Sequence, residues 1–301
     1  MEVLLKVMIT GGSGFLGSHV AETLSQEGHQ VTVFDKERSP YLRSDQEMRV
    51  GNILIQEEIE AALNGTEIIY HFAALSDLDV CKTKPYKAME INVLGTVNLL
   101  EAARKKGVKK IIFASSIYVY SRTGSFYRVS KHACEELLEV YKEQYNLDYT
   151  ILRFGTLYGT RSDESNSVYR YLKSALNDKK IKFQGSGEEI REYIHVKDAS
   201  EICAKVIGGE YSSKAYTTTG HHRVKVVELL QMIQEILGGN VEISYDKGVN
   251  ASHYNQTPYS YVPKVGHKII SNTYYDIGQG LIEMLGQIDQ SPKEFEYTLE
   301  Q

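Results

Sequence analysis

One short run near the start of the chain, Thr10-Gly11-Gly12-Ser13-Gly14-Phe15-Leu16-Gly17, constrains the fold more than any other feature. It follows an apolar stretch, residues 4–10, that reads as a short buried strand. It opens a segment that reads as a helix through about Gln26, closed before Gly28. Glycines at 11, 14 and 17, with another at 12, permit a tight turn. They also let backbone N–H groups approach a pyrophosphate and let the helix pack close to the strand. A glycine pattern alone is a weak signal, and the strand–turn–helix context gives it weight. Gln30 to Phe34 reads as a second strand, and Asp35 ends it, 18 positions after Gly17. A carboxylate there accepts hydrogen bonds from adenosine ribose hydroxyls and repels a 2′-phosphate. NAD is therefore expected rather than NADP, although Lys36 and Arg38 temper that preference. The competing reading is a structural glycine turn beside a surface aspartate.

The next segments keep the same alternation. A helix is expected over 55–63, a strand over 67–72, one long helix over 85–106 closed by Gly107, a strand over 110–115, a helix over 127–145 and a strand over 149–154. Strands alternating with helices imply an α/β, Rossmann-type, doubly wound parallel sheet with helices on both faces. The later chain is less regular, with helices expected at 166–178, 197–207, 224–237 and 276–287 and strands near 181–183, 214–218 and 241–245. The expected division is a dinucleotide-binding domain over 1–160, with a return segment near 193–235, and a smaller, mixed α/β substrate domain over 161–301. The stretch 246–275, rich in Tyr, Asn, Ser, Gly and Pro, reads as irregular structure shaping a pocket.

Composition narrows the partners. The 301 residues suffice for a sizeable core, and the net charge of −5 leaves no basic field to recruit nucleic acid. An anionic substrate must be held by local donors. Cys81, Cys134 and Cys203 are too few and too scattered for a disulfide framework, which fits a reducing, cytoplasmic setting. The start lacks a basic n-region and a cleavage site, and no apolar run approaches the ~18 residues of a membrane span. No metal site is expected.

Tyr127-Arg128-Val129-Ser130-Lys131 places a phenol and an ammonium one helical turn apart on one face. A cation beside a phenol favours the phenolate and would lower the tyrosine pKa. The pattern is common by chance in a chain with 22 tyrosines. Tyr169/Lys173 and Tyr193/Lys197 match it too. Position singles out Tyr127: it follows a strand ending in Ser115-Ser116, at the sheet edge where ligands bind in doubly wound folds.

With these motifs in hand, the chain resembles the extended short-chain dehydrogenase/reductases, within them the NAD-dependent epimerase/dehydratase group of nucleotide-sugar enzymes. The resemblance covers roughly residues 5–235. It rests on Thr10–Gly17, Asp35, His71-Phe72-Ala73-Ala74, Asn92-Val93-Leu94-Gly95-Thr96, Ser115 to Tyr120, Tyr127–Lys131, Arg153 to Gly159 and Gly185 to Asp198. It implies that Tyr127 is the catalytic acid/base, and that Lys131 binds the nicotinamide ribose and tunes that tyrosine. It implies that Ser116 hydrogen-bonds the reacting sugar hydroxyl. Cofactor contacts are implied for Gly11, Gly14, Phe15, Leu16, Gly17, Asp35, Asn52, Ile53, Phe72, Ala73, Ala74, Asn92 and Ser115, besides Tyr127 and Lys131. Substrate contacts are implied for Ser116, Thr156 and Arg191. For Arg191 the alternative is a surface ion pair with Glu188 or Glu192. His71 and His195 read as packed residues rather than proton carriers. The helices over 85–106 and 127–145 resemble those that form a four-helix homodimer interface in the family.

Three departures stand out. Only six residues, Ser121 to Phe126, separate Tyr120 from Tyr127, where the family carries a longer insertion. The rim is therefore expected to be open, or closed by another segment. Asn52 stands where an Asp is frequent near the adenine, and Thr156 where an Asn is frequent. Ile117-Tyr118 supplies no carboxyl group of the kind that dehydratases and decarboxylases of the family carry after the Ser/Thr. The expected reaction is epimerisation of a nucleotide-linked sugar, C4 of a UDP-sugar favoured, through a transient keto sugar. The alternatives are a keto-sugar reductase or dehydrogenase, a sugar dehydratase, and a non-catalytic dinucleotide-sensing protein.

Overall fold

A computed structural model describes residues 4–246 and 253–258. The first half runs β1 (Lys6–Thr10), α1 (Phe15–Gln26), β2 (Gln30–Asp35), β3 (Glu47–Val50), α2 (Gln56–Ala62) and β4 (Ile68–His71). Then come α3 (Leu78–Thr83), α4 (Pro85–Met89), a π-helical turn at Glu90–Leu94, α5 (Gly95–Lys106), β5 (Lys110–Ser116), a 3-10 turn at Ile117–Tyr120, α6 (Ser125–Tyr145) and β6 (Asp148–Phe154). The second half adds β7 (Thr156–Tyr158), α7 (Ser167–Asp178), β8 (Lys180–Gln184), β9 (Ile190–His195), α8 (Val196–Lys205), β10 (Lys214–Thr218), β11 (Arg223–Lys225), α9 (Val226–Ile236) and β12 (Glu242–Asp246).

The main sheet has the order β10-β6-β5-β4-β1-β2-β3, and every neighbouring pair in it is parallel. Strand β4 is buried at every position and β5 at all but Ala114, as expected of strands covered on both faces. One face packs Val20 and Leu24 of α1 and Cys203 of α8 against Val31 and Ile112. The other packs Leu99 and Leu100 of α5 and Leu138 of α6 against Ile69 and Ile111. Truncating a fully buried leucine such as Leu24 would cost about 2–5 kcal/mol. The strand order reverses between β1 and β4, and that switch point opens a crevice beyond the carboxyl ends of the strands. The doubly wound, Rossmann-type fold follows the sequence expectation.

The second half returns to the main sheet through β10, which pairs with β6, and through α8, which packs beside α1. Its remaining strands form a β11-β9-β7 sheet and a parallel β12–β8 pair. A separate apolar cluster of Ala175, Ile181, Phe183, Leu230 and Ile233 holds α7, α9 and that pair together. The helix expected over 276–287 and most of the stretch 246–275 lie outside the described residues. Among the described residues no helix is long and apolar enough to cross a membrane.

The helix expected over 85–106 is not continuous. A π turn at Glu90–Leu94 widens it between α4 and α5, and Asn92 sits in that turn. The buried Asn92 amide accepts from Leu75 N–H at 2.7 Å and donates to the Leu75 carbonyl at 3.0 Å and to Ser130 Oγ at 2.9 Å. It thereby ties the loop after β4 to the helix carrying Tyr127.

Candidate active site

The turn between β1 and α1 is shaped by its glycines, each for its own reason. A Cβ on Gly11, which sits at φ +70°, would come within 2.6 Å of Ala73 N. A Cβ on Gly17 would come within 2.2 Å of the Gly11 carbonyl. Both positions are closed by the protein's own backbone, so Ala73 and the turn pack directly. Gly14 differs: the nearest atom to a Cβ there is the Gly11 carbonyl at 3.3 Å, so its open side faces away from the fold. Gly14 also caps α1 without a side-chain hydrogen bond, and the first turn of the helix carries no acidic residue. The leading N–H groups of α1, at Phe15, Leu16 and Gly17, are left for a ligand.

Asp35 stands above this turn. One carboxylate oxygen accepts from Ser13 N–H at 3.0 Å and the other from Glu37 N–H at 3.3 Å. Both oxygens keep a further lone pair for ribose hydroxyls. Phe72, Ala73 and Ala74 run directly past the turn, with Phe72 N–H donating to the Thr10 carbonyl at 3.0 Å. The Ile53 side chain turns inward against Gly95, while Asn52 is exposed and its side chain accepts from Leu54 N–H at 3.0 Å. His71 is wedged between Thr10 Oγ1 at 2.7 Å and Thr96 Oγ1 at 2.9 Å. Burial holds its pKa down to about 3, so it is a neutral packing residue.

The structure brings Ser116, Tyr127 and Lys131 together. Ser116 ends β5, and its hydroxyl lies near the Tyr127 phenol in the lining of one cleft. It also accepts from Tyr118 N–H at 3.3 Å. Tyr127 lies in the first turn of α6, which Gly124 enters in a left-handed conformation. Lys131 follows one turn later, with its Nζ 5.8 Å from the Tyr127 ring centroid and 4.7 Å from that of Phe113. Its ammonium donates to the Ala114 carbonyl at 2.7 Å. Burial lowers its pKa to about 8.

Tyr127 departs from the electrostatic expectation. Burial pushes its phenol above the ordinary range, Cys81 adds to the rise, and the nearby Ser116 hydroxyl opposes it. Packing around the phenol makes charging its oxygen costly, and the Lys131 ammonium lies to one side of the ring rather than at the oxygen.

Ser115 points elsewhere. Neighbouring residues of a strand face opposite sides, so Ser115 turns its hydroxyl to Glu135 at 2.5 Å. Glu135 is held in a forked pair by Arg153, at 2.6 and 3.0 Å, and Arg153 also donates to the Tyr120 hydroxyl at 2.6 Å. This buried network locks β5, β6 and α6 together behind the serine and tyrosine.

In front of Ser116 and Tyr127 opens a cleft of about 1140 Å³. Thr156 and Arg191 line it together with Tyr254. Arg191 stacks over the Tyr254 ring at 4.3 Å and donates to the Ile190 carbonyl at 3.1 Å. The surface ion pair weighed for it does not form: Glu188 pairs with Lys225 and Glu192 with Arg223. The rim left short by Ser121–Phe126 is covered from far along the chain. His253 bonds the Tyr118 hydroxyl at 2.8 Å, and Tyr254 packs on the Tyr118 ring at 4.9 Å. Ile190 N–H donates to the Asn255 carbonyl at 2.8 Å. Sequence reasoning missed Tyr118, His253 and Tyr254, because nothing in local spacing links positions so far apart. No group of metal-binding side chains occurs among the described residues.

Residues 7–216 match the model of the NAD dependent epimerase/dehydratase family. The chain belongs to that family. A UDP-N-acetyl-alpha-D-glucosaminuronate decarboxylase of Bacillus cytotoxicus is 28% identical to it over 268 residues, covering 79% of this chain and 82% of that one. The UDP-glucose 4-epimerase of Thermus thermophilus, solved in complex with NAD, superposes with a TM-score of 0.77 at 26% identity, covering 87% of this chain and 95% of that one. The UDP-glucose 4-epimerase of Thermotoga maritima, solved with UDP-glucose, superposes at 0.78 and 26% identity, covering 85% and 90%.

The protein is thus an enzyme of the NAD-dependent epimerase/dehydratase type, and its cofactor is NAD. The residues present fit that cofactor. The outward-open Gly14 gives a pyrophosphate room to approach the first turn of α1, and the Asp35 carboxylate retains acceptor capacity beside it. The turn is flanked by Asp35 on one side, through Ser13, and by Phe72 and Ala73, which pack against Gly11.

Proposed function

We propose that the enzyme epimerises a nucleotide-linked sugar, with C4 of a UDP-sugar as the favoured centre. The observation that carries this reading is the meeting of Ser116 and Tyr127 in the wall of a cleft that Arg191 also lines. NAD, when bound, supplies the hydride exchange. The protein's part is position and proton control. Ser116 orients the reacting hydroxyl. Tyr127 Oη takes that hydroxyl's proton and later returns it, and the Lys131 ammonium beside its ring favours the phenolate at that moment. Arg191 offers a planar fork suited to a diphosphate. The side chains of Ile117 and Tyr118 give no carboxyl group to drive elimination, and epimerisation requires none. The solved relatives named above include two UDP-glucose 4-epimerases, which supports the same choice.

Pure protein incubated with UDP-glucose, without added NAD, is expected to yield UDP-galactose. A requirement for stoichiometric reduced or oxidised cofactor would instead indicate net reduction or oxidation. Tyr127→Phe should slow turnover by about 10²–10⁴-fold while NAD still binds. Unchanged turnover would remove Tyr127 from the reaction. We further propose that the chain works as a homodimer through α4–α6, whose outward apolar side chains include Leu94, Val129 and Val140. The three free, buried thiols suit a cytoplasmic setting.

A further inference from the structure

Hydride exchange at one carbon needs one acid/base group, yet the cleft holds a second titratable pair. Tyr118 and His253 are 135 positions apart in the chain and share a hydrogen bond of 2.8 Å between the phenol oxygen and Nδ1. Both line the cleft together with Ser116 and Tyr127. The Tyr118 ring stands edge-on to that of Tyr127, with centroids 6.3 Å apart. Its placement is built in: a Cβ on the left-handed Gly124 would lie 2.6 Å from Tyr118 Cδ1, so the entry to α6 is shaped around this ring. Nε2 of His253 has no hydrogen-bond partner among the described residues.

The surroundings set the protonation of the pair. His253 faces Arg191 on β9, Asp79 on α3, Asp77 just before it and Arg170 on α7. Burial first, and then Arg191, hold it below the ordinary 6.5. Tyr118 faces Tyr254, Arg191, Tyr127 and Asp79, and burial keeps its phenol protonated. At neutral pH the pair is a neutral imidazole and a phenol. In the tautomer whose Nδ1–H donates to the phenol oxygen, Nε2 is free to accept a proton and the phenol keeps its own O–H to give.

We propose that Tyr118 and His253 form a second acid–base pair that acts on the carbon next to the transient ketone. Such an activity lets the enzyme exchange, and so invert, a centre beside the one that passes hydride. The proposal rests on the keto-sugar reading above. A carbonyl acidifies the C–H bonds beside it. His253 Nε2 takes one such proton, and the electron pair of the broken C–H bond forms a C=C bond. The carbonyl π pair moves onto oxygen, where the Ser116 and Tyr127 hydroxyls can donate to it. A proton returned to the carbon restores the ketone, either from His253 Nε2 or from Tyr118 Oη, which then takes the imidazolium's Nδ1 proton in its place. The imidazole regains its neutral form and no oxidant or reductant is consumed.

The test offers the enzyme a uridine diphosphate 4-keto sugar directly in deuterium oxide, which bypasses the hydride step. Mass spectrometry of the recovered sugar should show deuterium uptake at least tenfold above buffer alone. The rate should rise with pH through a single group titrating below 6.5. His253→Gln, which keeps a polar side chain but cannot relay a proton, should cut uptake about 100-fold and erase that pH dependence. Tyr118→Phe should cut uptake as well. No uptake above buffer with the unaltered enzyme, or full uptake in both variants, would overturn the proposal. Loss of UDP-glucose epimerisation alongside intact uptake would count against the reading of the main reaction and not against this pair.

Discussion

Lys131 carries a charge where charge is costly. Its side chain is 3% exposed, and its ammonium is met by a carbonyl and two rings rather than a direct carboxylate. The folded pKa, lowered to about 8 from 10.5, sets the sign of the pH effect. Below about 8 the amine is charged in both folded and unfolded chains, so the burial penalty is fully present. Between about 8 and 10.5 the unfolded chain holds a proton that the folded one has released, so stability rises with pH across that window. Lys131→Met should therefore stabilise the fold by about 1–3 kcal/mol at pH 7 while depressing turnover. That advantage should vanish by pH 10.5, the unshifted value for lysine. Urea unfolding at pH 7 and near pH 10 measures it. An undiminished gap at the higher pH would show that the buried charge is not what costs stability.

Among the elements, the turn from β1 to α1 separates two kinds of glycine. Gly17→Ala forces a Cβ to 2.2 Å from the Gly11 carbonyl, so the turn itself must give way. Gly14→Ala meets nothing closer than 3.3 Å within the protein. The first should lower the melting temperature and abolish NAD binding together. The second should melt normally and bind NAD about tenfold more weakly, a loss of about 1.4 kcal/mol. Calorimetric melting and NAD titration of the two variants would decide this, and equal destabilisation would refute it. The same turn shows how far sequence reading reaches. Strand–turn–helix order, the Asp35 position and the Ser116/Tyr127/Lys131 set are local patterns, legible because each spans a few residues. The short strands β3, β7 and β11 are not legible as elements, being set by pairing with distant partners rather than by their own periodicity. The π turn is hidden because one extra residue in a helical repeat leaves the apolar pattern nearly intact. Ser115 and Ser116 look alike in sequence, and only the strand's alternation sends one to Glu135 and the other to Tyr127.

At the scale of the whole molecule, α6 has two working faces. With 3.6 residues per turn, Tyr127, Lys131, Cys134 and Leu138 share one side, and Phe126, Val129 and Val140 fall within about 60° of each other on the opposite side. The inner side builds the active site and core. The outer side leaves Val129 and Val140 41% and 47% exposed, and Leu94 in the neighbouring π turn is 55% exposed. An apolar stripe along the helix that positions the reacting groups is a poor surface to leave in water, and covering each such side chain contributes about 1.5–3 kcal/mol. A second copy of the chain offers the same stripe in return. Val129→Glu combined with Val140→Glu should place four carboxylates in one apolar seam and yield monomers in sedimentation equilibrium, whereas the unaltered chain should sediment as a dimer. Every site residue named above comes from a single chain, so the monomer should still bind NAD. Its loss should appear as a lower melting temperature, because α6 would have only one of its faces covered. A monomeric unaltered chain at micromolar concentration would leave the stripe without that role.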